Sequence, residues 1–242
     1  MPKPASLNLK AVFAAALPVV LGYLPVGFAY GVLAANAGLS TIQALALSVF
    51  VYAGSSQLIA VGLIAQGIHP LSIVLTTLIV NLRHLLMSVS LSPFMSKWSR
   101  PTIATFGFEL TDETFALHSL RFRKGEDSPR PAILINLVCQ LSWITGSLLG
   151  VLAGGVLTDV RPFALDYALP AMFIALLLLQ ITHRRHVLVA LAGAGLSLGL
   201  WAAGLTQWNV ILAALLAATL GAVLETTAKN QLDNQVDAEA ER

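Results

Sequence analysis

Long apolar runs alternate with short polar connections along most of the 242 residues of this chain. A helix needs about 17 to 25 mainly apolar residues to cross the hydrocarbon core of a bilayer. Seven runs of that length are present, at 11–35, 41–65, 70–91, 132–157, 167–182, 187–203 and 208–224. The pattern predicts an all-α, polytopic transmembrane bundle that forms one domain over 1–242, with a disordered polar tail at 228–242.

Composition supports the membrane class, because 57% of the residues are hydrophobic, only 11% are charged and the mean hydropathy is +0.79. Lys3 and Lys10 precede the first run, as in a signal peptide, but the run is too long and has no convincing cleavage site. Cys139 is the single cysteine, which excludes an internal disulfide. We therefore expect a lipid bilayer around the chain and no nucleic-acid partner.

The segment 102–120 is apolar enough to enter a membrane, yet it carries Glu109, Asp112 and Glu113 near its middle. Charged or irregular backbone at membrane depth is tolerated where protein or a water-filled cavity surrounds it. This favours a broken or re-entrant segment. The alternative is an amphipathic helix on the membrane surface with its carboxylates in water.

Lys and Arg residues near spans concentrate on the cytoplasmic side, which ranks the topologies. Two topologies score equally. Seven crossings with the N-terminus outside place ten of these cations inside and three outside, and eight crossings with the N-terminus inside give the same count. Both topologies predict a multi-pass protein with a cytoplasmic C-terminus. The side of the N-terminus stays open, with a slight preference for the inside, since Lys3 and Lys10 then need not be translocated.

The third run contains Asn81, Arg83 and His84 within an otherwise membrane-spanning pattern. An Arg near the bilayer centre costs about 3 kcal/mol and is kept only where it faces protein or a wet cavity. We interpret these three residues as functional. Asp112 and Glu113 are the expected partners of the Arg83 guanidinium.

The second run places Tyr52, Ser55 and Gln57 near its middle, away from the interface where tyrosine usually anchors a helix. We expect Tyr52 and Gln57 to line a polar cavity. A serine nucleophile, Ser55 or Ser56 with His84 as base, is disfavoured because nothing marks an oxyanion site. The chain is therefore predicted not to be an enzyme and to need no metal or cofactor.

The first run contains Pro18, Gly22, Pro25 and Gly27, and each proline removes a backbone hydrogen bond. We expect this helix to be kinked or discontinuous, which would expose backbone groups to a substrate; a kink shaped by packing alone is the alternative. Small residues four apart predict close helix contacts. They are Gly27 and Gly31, then Gly146, Gly150 and Gly154, and finally Gly195 and Gly199.

Four blocks of sequence resemble the AzlC family, the large subunits of bacterial branched-chain amino acid exporters. The blocks are LP-x3-G-x2-P-x-G-x3-G at 17–31, YAGSSQ at 52–57, NLRH at 81–84 and TDET at 111–114. The resemblance implies an exporter of leucine, isoleucine and valine, with methionine a further candidate, in the bacterial inner membrane. It also implies proton coupling and a small membrane subunit of the AzlD type.

Together these interpretations predict a substrate pathway formed by the broken first span with Tyr52, Ser55, Gln57, Asn81 and Arg83. Protonation of Asp112 or Glu113 would free Arg83 for a substrate carboxylate, and His84 is the second candidate proton carrier. Two other classes stay open. One is an uncoupled channel or facilitator, and the other is a membrane scaffold that is inactive without its partner.

Overall fold

The computed structural model describes residues 8–156, 183–205 and 212–223, with the single positions 167, 171, 174, 177, 178, 181 and 226. Most of the predicted span at 167–182, and the tail at 228–242, lie outside the described residues. Every regular element in the described part is helical, which confirms the all-α class. The α-helices are α1 Leu9–Asn36, α2 Thr41–Phe50, α3 Gly54–Ala65, α4 Pro70–Leu91, α5 Arg100–Phe108, α6 Asp112–Arg123, α7 Pro129–Gly154, α8 Arg184–Ala202 and α9 Leu212–Val223.

Four helices of the described part are long and apolar enough to cross a membrane: Leu9–Asn36, Pro70–Met95, Pro129–Gly154 and Arg184–Ala202. They match the predicted first, third, fourth and sixth spans. The predicted second span is instead two short helices, α2 and α3, and the predicted count of seven is not confirmed. The segment 102–120 is interrupted between α5 and α6, as expected.

The first helix, α1, corrects the expectation of a discontinuity at Pro18 to Gly27. It runs unbroken for 28 residues with both prolines inside it. Pro18, Gly22 and Pro25 are exposed, whereas Tyr23 and Gly27 belong to the buried side. A proline weakens a helix locally, but α1 is held along much of its length by its contact with α7, which outweighs the lost hydrogen bonds.

The contact between α1 and α7 is the densest in the first of the two compact units into which the chain divides, Met1–Leu176 and Leu177–Arg242. A Cβ atom at Gly27 would lie 2.9 Å from the Trp143 carbonyl oxygen, and one at Gly146 would lie 2.6 Å from the Leu24 carbonyl oxygen. The backbones of the two helices therefore touch, as the glycine spacing predicts. A buried apolar cluster around Tyr23, Tyr30 and Trp143 surrounds this contact.

The second unit contains α8 and α9. A Cβ atom at Gly193 would lie 3.3 Å from Cβ of Ala217, and one at Gly221 would lie 3.4 Å from a methyl group of Val189. The predicted contacts at Gly195 and Gly199 are not found among the described residues, because a Cβ atom there would meet open space. The small residue that approaches α9 is therefore two positions earlier than expected.

Candidate functional site

The interruption between α2 and α3 lies at Tyr52, whose φ of 42° is in the left-handed region. The Tyr52 backbone N–H donates to the Leu47 carbonyl at 3.1 Å, which ends α2, and α3 then begins at Gly54 without a side-chain cap. Glycine is the usual residue at such a helix end, and a bulky side chain there costs of order 1 kcal/mol. Strain of this kind persists where the surroundings enforce it and concentrates at functional sites.

Gln57 enforces the interruption. Its Oε1 accepts from the Ala53 backbone N–H and from the Trp143 indole N–H, both at 3.2 Å, and its Nε2 donates to the Ser48 hydroxyl at 3.1 Å. Ser48 in turn pairs with the Ser147 hydroxyl at 2.8 Å. The Gln57 amide thus ties the end of α2 and the start of α3 to α7. The structure gives this predicted cavity residue a structural role.

Arg83 of α4 joins the first turns of two short helices. Its Nη2 lies 2.9 Å from the Asp112 carboxylate, at the start of α6, and also donates to the Ser55 hydroxyl in the first turn of α3. The side chains of Arg83 and Asp112 are 24% and 16% exposed, so the ion pair is partly buried. Helix N-termini carry partial positive charge, so with the guanidinium they form a positive region that is suited to anions.

Glu113, the neighbour of Asp112, faces a different helix. Its Oε2 accepts a hydrogen bond from the Tyr23 hydroxyl of α1 at 2.7 Å, and the same hydroxyl contacts the Thr111 hydroxyl. Thr111 and Thr114 form a capping box at the start of α6, in which each side chain bonds the backbone N–H of the other residue. Two adjacent carboxyls therefore connect the first turn of α6 to α4 and to α1.

Aromatic rings form one wall beside these charges. The Tyr23 ring stands edge-on to Tyr52, with centroids 6.3 Å apart, and to Trp143 at 5.4 Å. Tyr52 is only 2% exposed, and its hydroxyl makes no hydrogen bond within the part of the chain that the structure describes. A buried phenol without a partner is uncommon and requires an explanation.

Asn81 and His84 of α4 are half-buried. Oδ1 of Asn81 and Nε2 of His84 are buried atoms without a hydrogen-bond partner among the described residues. His84 is within electrostatic range of Arg83 and Asp112. The predicted residues of α4 therefore lie in or beside the charged cluster, whereas Pro18, Gly22 and Pro25 do not, because they are on the exposed face of α1.

Two polar features of the structure, one in the site and one outside it, were not foreseen from the sequence. Tyr23 was hidden among the apolar residues of α1, and only its position four residues before Gly27 could have placed it on the face that meets α7. His118 and Asn136 form the second feature, a fully buried pair with Nε2 and Oδ1 2.8 Å apart. His118 lies outside the polar block TDET, and a single Asn in an apolar span gives no partner from spacing alone.

The site contains one guanidinium, two carboxyls, several hydroxyls and an aromatic wall. Within the described ranges, no three His, Cys, Asp or Glu side chains form a group that could hold a metal ion. The side chains are suited to an organic zwitterion, which offers a carboxylate to the Arg83 guanidinium and an ammonium group to a carboxylate and aromatic faces.

Interrupted helices whose N-terminal turns meet at a charged cluster are typical of helical membrane proteins of the transporter type. Comparison with known families agrees with this class. The family model described as AzlC protein matches residues 18–157, and the chain belongs to the AzlC family, a family of membrane transport proteins.

Relatives cover most of the chain. An uncharacterized membrane protein of Archaeoglobus fulgidus is 34% identical over 87% of this chain and 94% of its own length. The inner membrane protein YgaZ of Escherichia coli is 30% identical over 88% of both chains. The branched-chain amino acid transport protein AzlC of Bacillus subtilis is 26% identical over 78% of this chain and 74% of its own. No solved structure matches the chain.

Proposed function

We propose that this protein exports branched-chain amino acids, namely leucine, isoleucine and valine, with methionine a further substrate, across the bacterial inner membrane. The mechanism is secondary active transport coupled to protons. The name of the Bacillus subtilis relative supports the substrate class. The C-terminus is cytoplasmic in this proposal, in agreement with the distribution of positive charges.

The observation that carries the proposal is the single Arg83 guanidinium that bonds the first turns of both α3 and α6. A substrate carboxylate would bind there beside Asp112, with Ser55 and the partial charges of the two helix N-termini as further support. Asn81 and Tyr52 would complete the polar lining. The branched side chain would pack against the rings of the aromatic wall, which are apolar.

Three side chains are candidates for the coupling proton: Asp112, Glu113 and His84. All three are within electrostatic range of Arg83 or bonded to it, so protonation of any one changes the charge that the guanidinium experiences. A charge change at this point alters the affinity for a substrate carboxylate. This is the physical basis of coupling in the proposal.

A small membrane subunit of the AzlD type is the proposed partner, as the family resemblance implies. The window of α4 that is most apolar has no buried residue within the chain by itself. An exposed apolar surface of this kind is expected both for a helix that faces lipid and for a helix that packs against a second subunit. The transport assay below therefore includes the subunit as a separate arm.

The test is efflux of labelled valine from proteoliposomes that contain the purified protein, with and without an imposed pH gradient and with and without a co-purified small subunit. We expect efflux that the pH gradient accelerates. Efflux that ignores the gradient would identify an uncoupled facilitator. Flux that appears only with the subunit would identify an obligate two-subunit transporter, and no valine flux in any arm would refute the proposed substrate.

A further inference from the structure

We infer that Glu113 is the binding site for the ammonium group of the substrate, and that proton and ammonium exclude each other on this carboxyl. Asp112 in this inference is the fixed counter-ion of Arg83. The inference rests on the proposed function and adds the recognition of the second charged end of an amino acid. It also assigns a positioning role to Tyr23 and a ligand-binding role to the hydroxyl of Tyr52.

The two adjacent carboxyls, Asp112 and Glu113, have different partners. Asp112 is 2.9 Å from the guanidinium of Arg83, the one cation that the described residues bring to the cluster. Glu113 has no salt bridge to Arg83, and Tyr23 supplies a neutral hydrogen bond instead. One guanidinium thus faces two carboxyls, so the cluster is one positive charge short when both are ionised. A half-buried carboxylate without a cation attracts either a proton or a cationic ligand.

Among the described residues, the groups within electrostatic range of Glu113 include one cation, Arg83. Tyr23 lies in that range on α1, Tyr52 at the interruption, Asp112 on the same helix and Cys139 on α7, and the buried Glu109 is within range of Tyr52. Arg83 also acts on it from α4, although that guanidinium is already paired. The environment of Glu113 therefore lacks a positive charge, which a substrate ammonium group would supply.

Glu113 has hydrogen-bonding capacity left for such a ligand. A carboxylate offers about four lone-pair positions, of which the Tyr23 hydroxyl and the Glu113 backbone N–H use two. The Tyr52 hydroxyl, which lies in electrostatic range of Glu113, makes no hydrogen bond among the described residues and can accept an N–H from the same ammonium group. The faces of Tyr23 and Tyr52 would add cation–π attraction.

A chain of hydroxyls fits both states of Glu113. When the carboxyl is ionised, Tyr23 donates to it, Thr111 donates to Tyr23, and Thr114 donates to Thr111 across 3.1 Å. When Glu113 takes a proton, a new O–H bond forms and donates to Tyr23, and every hydroxyl in the chain reverses. Thr114 then donates to the Thr111 carbonyl at 3.3 Å. The contacts of Glu113 with Tyr23, of Tyr23 with Thr111 and of Thr111 with Thr114 each keep a hydrogen bond in both states, so the contact between α1 and α6 survives the change of charge.

Competition at one carboxyl determines the direction of coupling. Ligands that exclude each other drive exchange in opposite directions, whereas ligands that favour each other drive movement in the same direction. With a proton gradient directed into the cell, exclusion at Glu113 moves the amino acid outward. The inference therefore gives the proposed exporter a physical reason for its direction.

The test measures binding of labelled valine to the purified protein between about pH 5 and pH 8, where valine remains a zwitterion. For the wild type we expect the apparent Kd to rise as pH falls, by about tenfold per pH unit below the titration of Glu113. Glu113→Gln should abolish this dependence and weaken binding. The hydroxy analogue of valine, 2-hydroxy-3-methylbutanoate, should bind weakly to the wild type, and Glu113→Gln should not weaken its binding, because the analogue has no ammonium group for that carboxylate.

Tyr23→Phe keeps the carboxyl but removes the donor that favours its ionised form. We expect the pH of half-maximal valine binding to rise by about one unit, because a hydrogen bond to a charged group is lost. Tyr30→Phe is the matched control, since Tyr30 is a buried tyrosine of the same helix whose hydroxyl donates to the Ala44 carbonyl at 3.0 Å. Its profile should equal that of the wild type.

The outcomes distinguish failure of the inference about Glu113 from failure of the proposed function. Valine binding by the wild type that does not depend on pH, an unchanged pH profile in Glu113→Gln, or no shift in Tyr23→Phe would overturn the inference and leave the proposed function intact. A wild-type protein that binds no branched-chain amino acid at any pH would overturn the proposed function itself. If Glu113→Gln fails to fold, Tyr23→Phe and its control carry the test.

Discussion

At the scale of single residues, the pair formed by Arg83 and Asp112 combines structural and functional demands. Each ion is expensive inside a helical bundle, and each is tolerated because the other lies 2.9 Å away. Removing one partner leaves an uncompensated charge, whereas removing both leaves none. The pair therefore has an energetic signature that differs from that of an exposed ion pair.

For the pair, we predict that Arg83→Gln and Asp112→Asn each lower stability by about 2 to 3 kcal/mol, and that the double substitution costs about 1 kcal/mol or less. The comparison pair is Arg121 and Glu126, 3.0 Å apart, in which Glu126 is 52% exposed. Its single substitutions should cost at most about 1 kcal/mol. The measurement is the denaturation midpoint in detergent. If each single substitution lowered stability no more than the double substitution, a charge left without its partner would carry no penalty at this site.

At the scale of helices, the sequence predicted that one helix would be interrupted and the structure places the interruption in another. Pro18 and Pro25 drew attention to the first span, but α1 continues through both because its buried face is held by α7. The second span breaks at Tyr52, where no proline or glycine occupies the left-handed position. That break depends on Gln57 and Trp143, residues 5 and 91 positions further on, and such tertiary contacts leave no local signature.

The contact between α1 and α7 gives a prediction for two glycines of one helix. A Cβ at Gly31 would lie 2.6 Å from the Val151 backbone nitrogen and would also collide with the Ser147 carbonyl, so Gly31→Ala should cost about 1 to 3 kcal/mol. A Cβ at Gly22 meets nothing within 4 Å, so Gly22→Ala should be neutral or stabilising by up to about 1 kcal/mol. Apparent melting temperatures of the two variants in detergent measure the difference. Equal effects would contradict the close backbone contact.

At the scale of the whole molecule, the sequence specified the class of fold, because runs of apolar residues report membrane helices directly. It also indicated that Arg83 would face an acidic group of the segment 102–120, since a charge at membrane depth requires a partner. The choice of Asp112 over Glu113 could not be predicted. Both lie in the first turn of α6, and their division follows from the positions of α4 and α1 around that turn.

Tyr23 is a second residue whose partner could not be predicted from the sequence. Its hydroxyl meets Glu113 across 90 positions of sequence, and no periodicity of α1 distinguishes it from an ordinary aromatic residue in a span. The glycine spacing could place it on the face that meets α7, but its partner came only from the packing of the whole bundle. Functional contacts between distant helices therefore required the structure.

The most direct test of the central claim is valine exchange in proteoliposomes by the double variant Arg83→Gln/Asp112→Asn, compared with Arg121→Gln/Glu126→Gln. Neither variant leaves an unpaired charge, so both should retain the fold. The account predicts that the first loses valine exchange by at least about tenfold, because the substrate carboxylate has lost its guanidinium, while the second exchanges at the wild-type rate. Wild-type exchange by the variant without Arg83 and Asp112 would contradict the account.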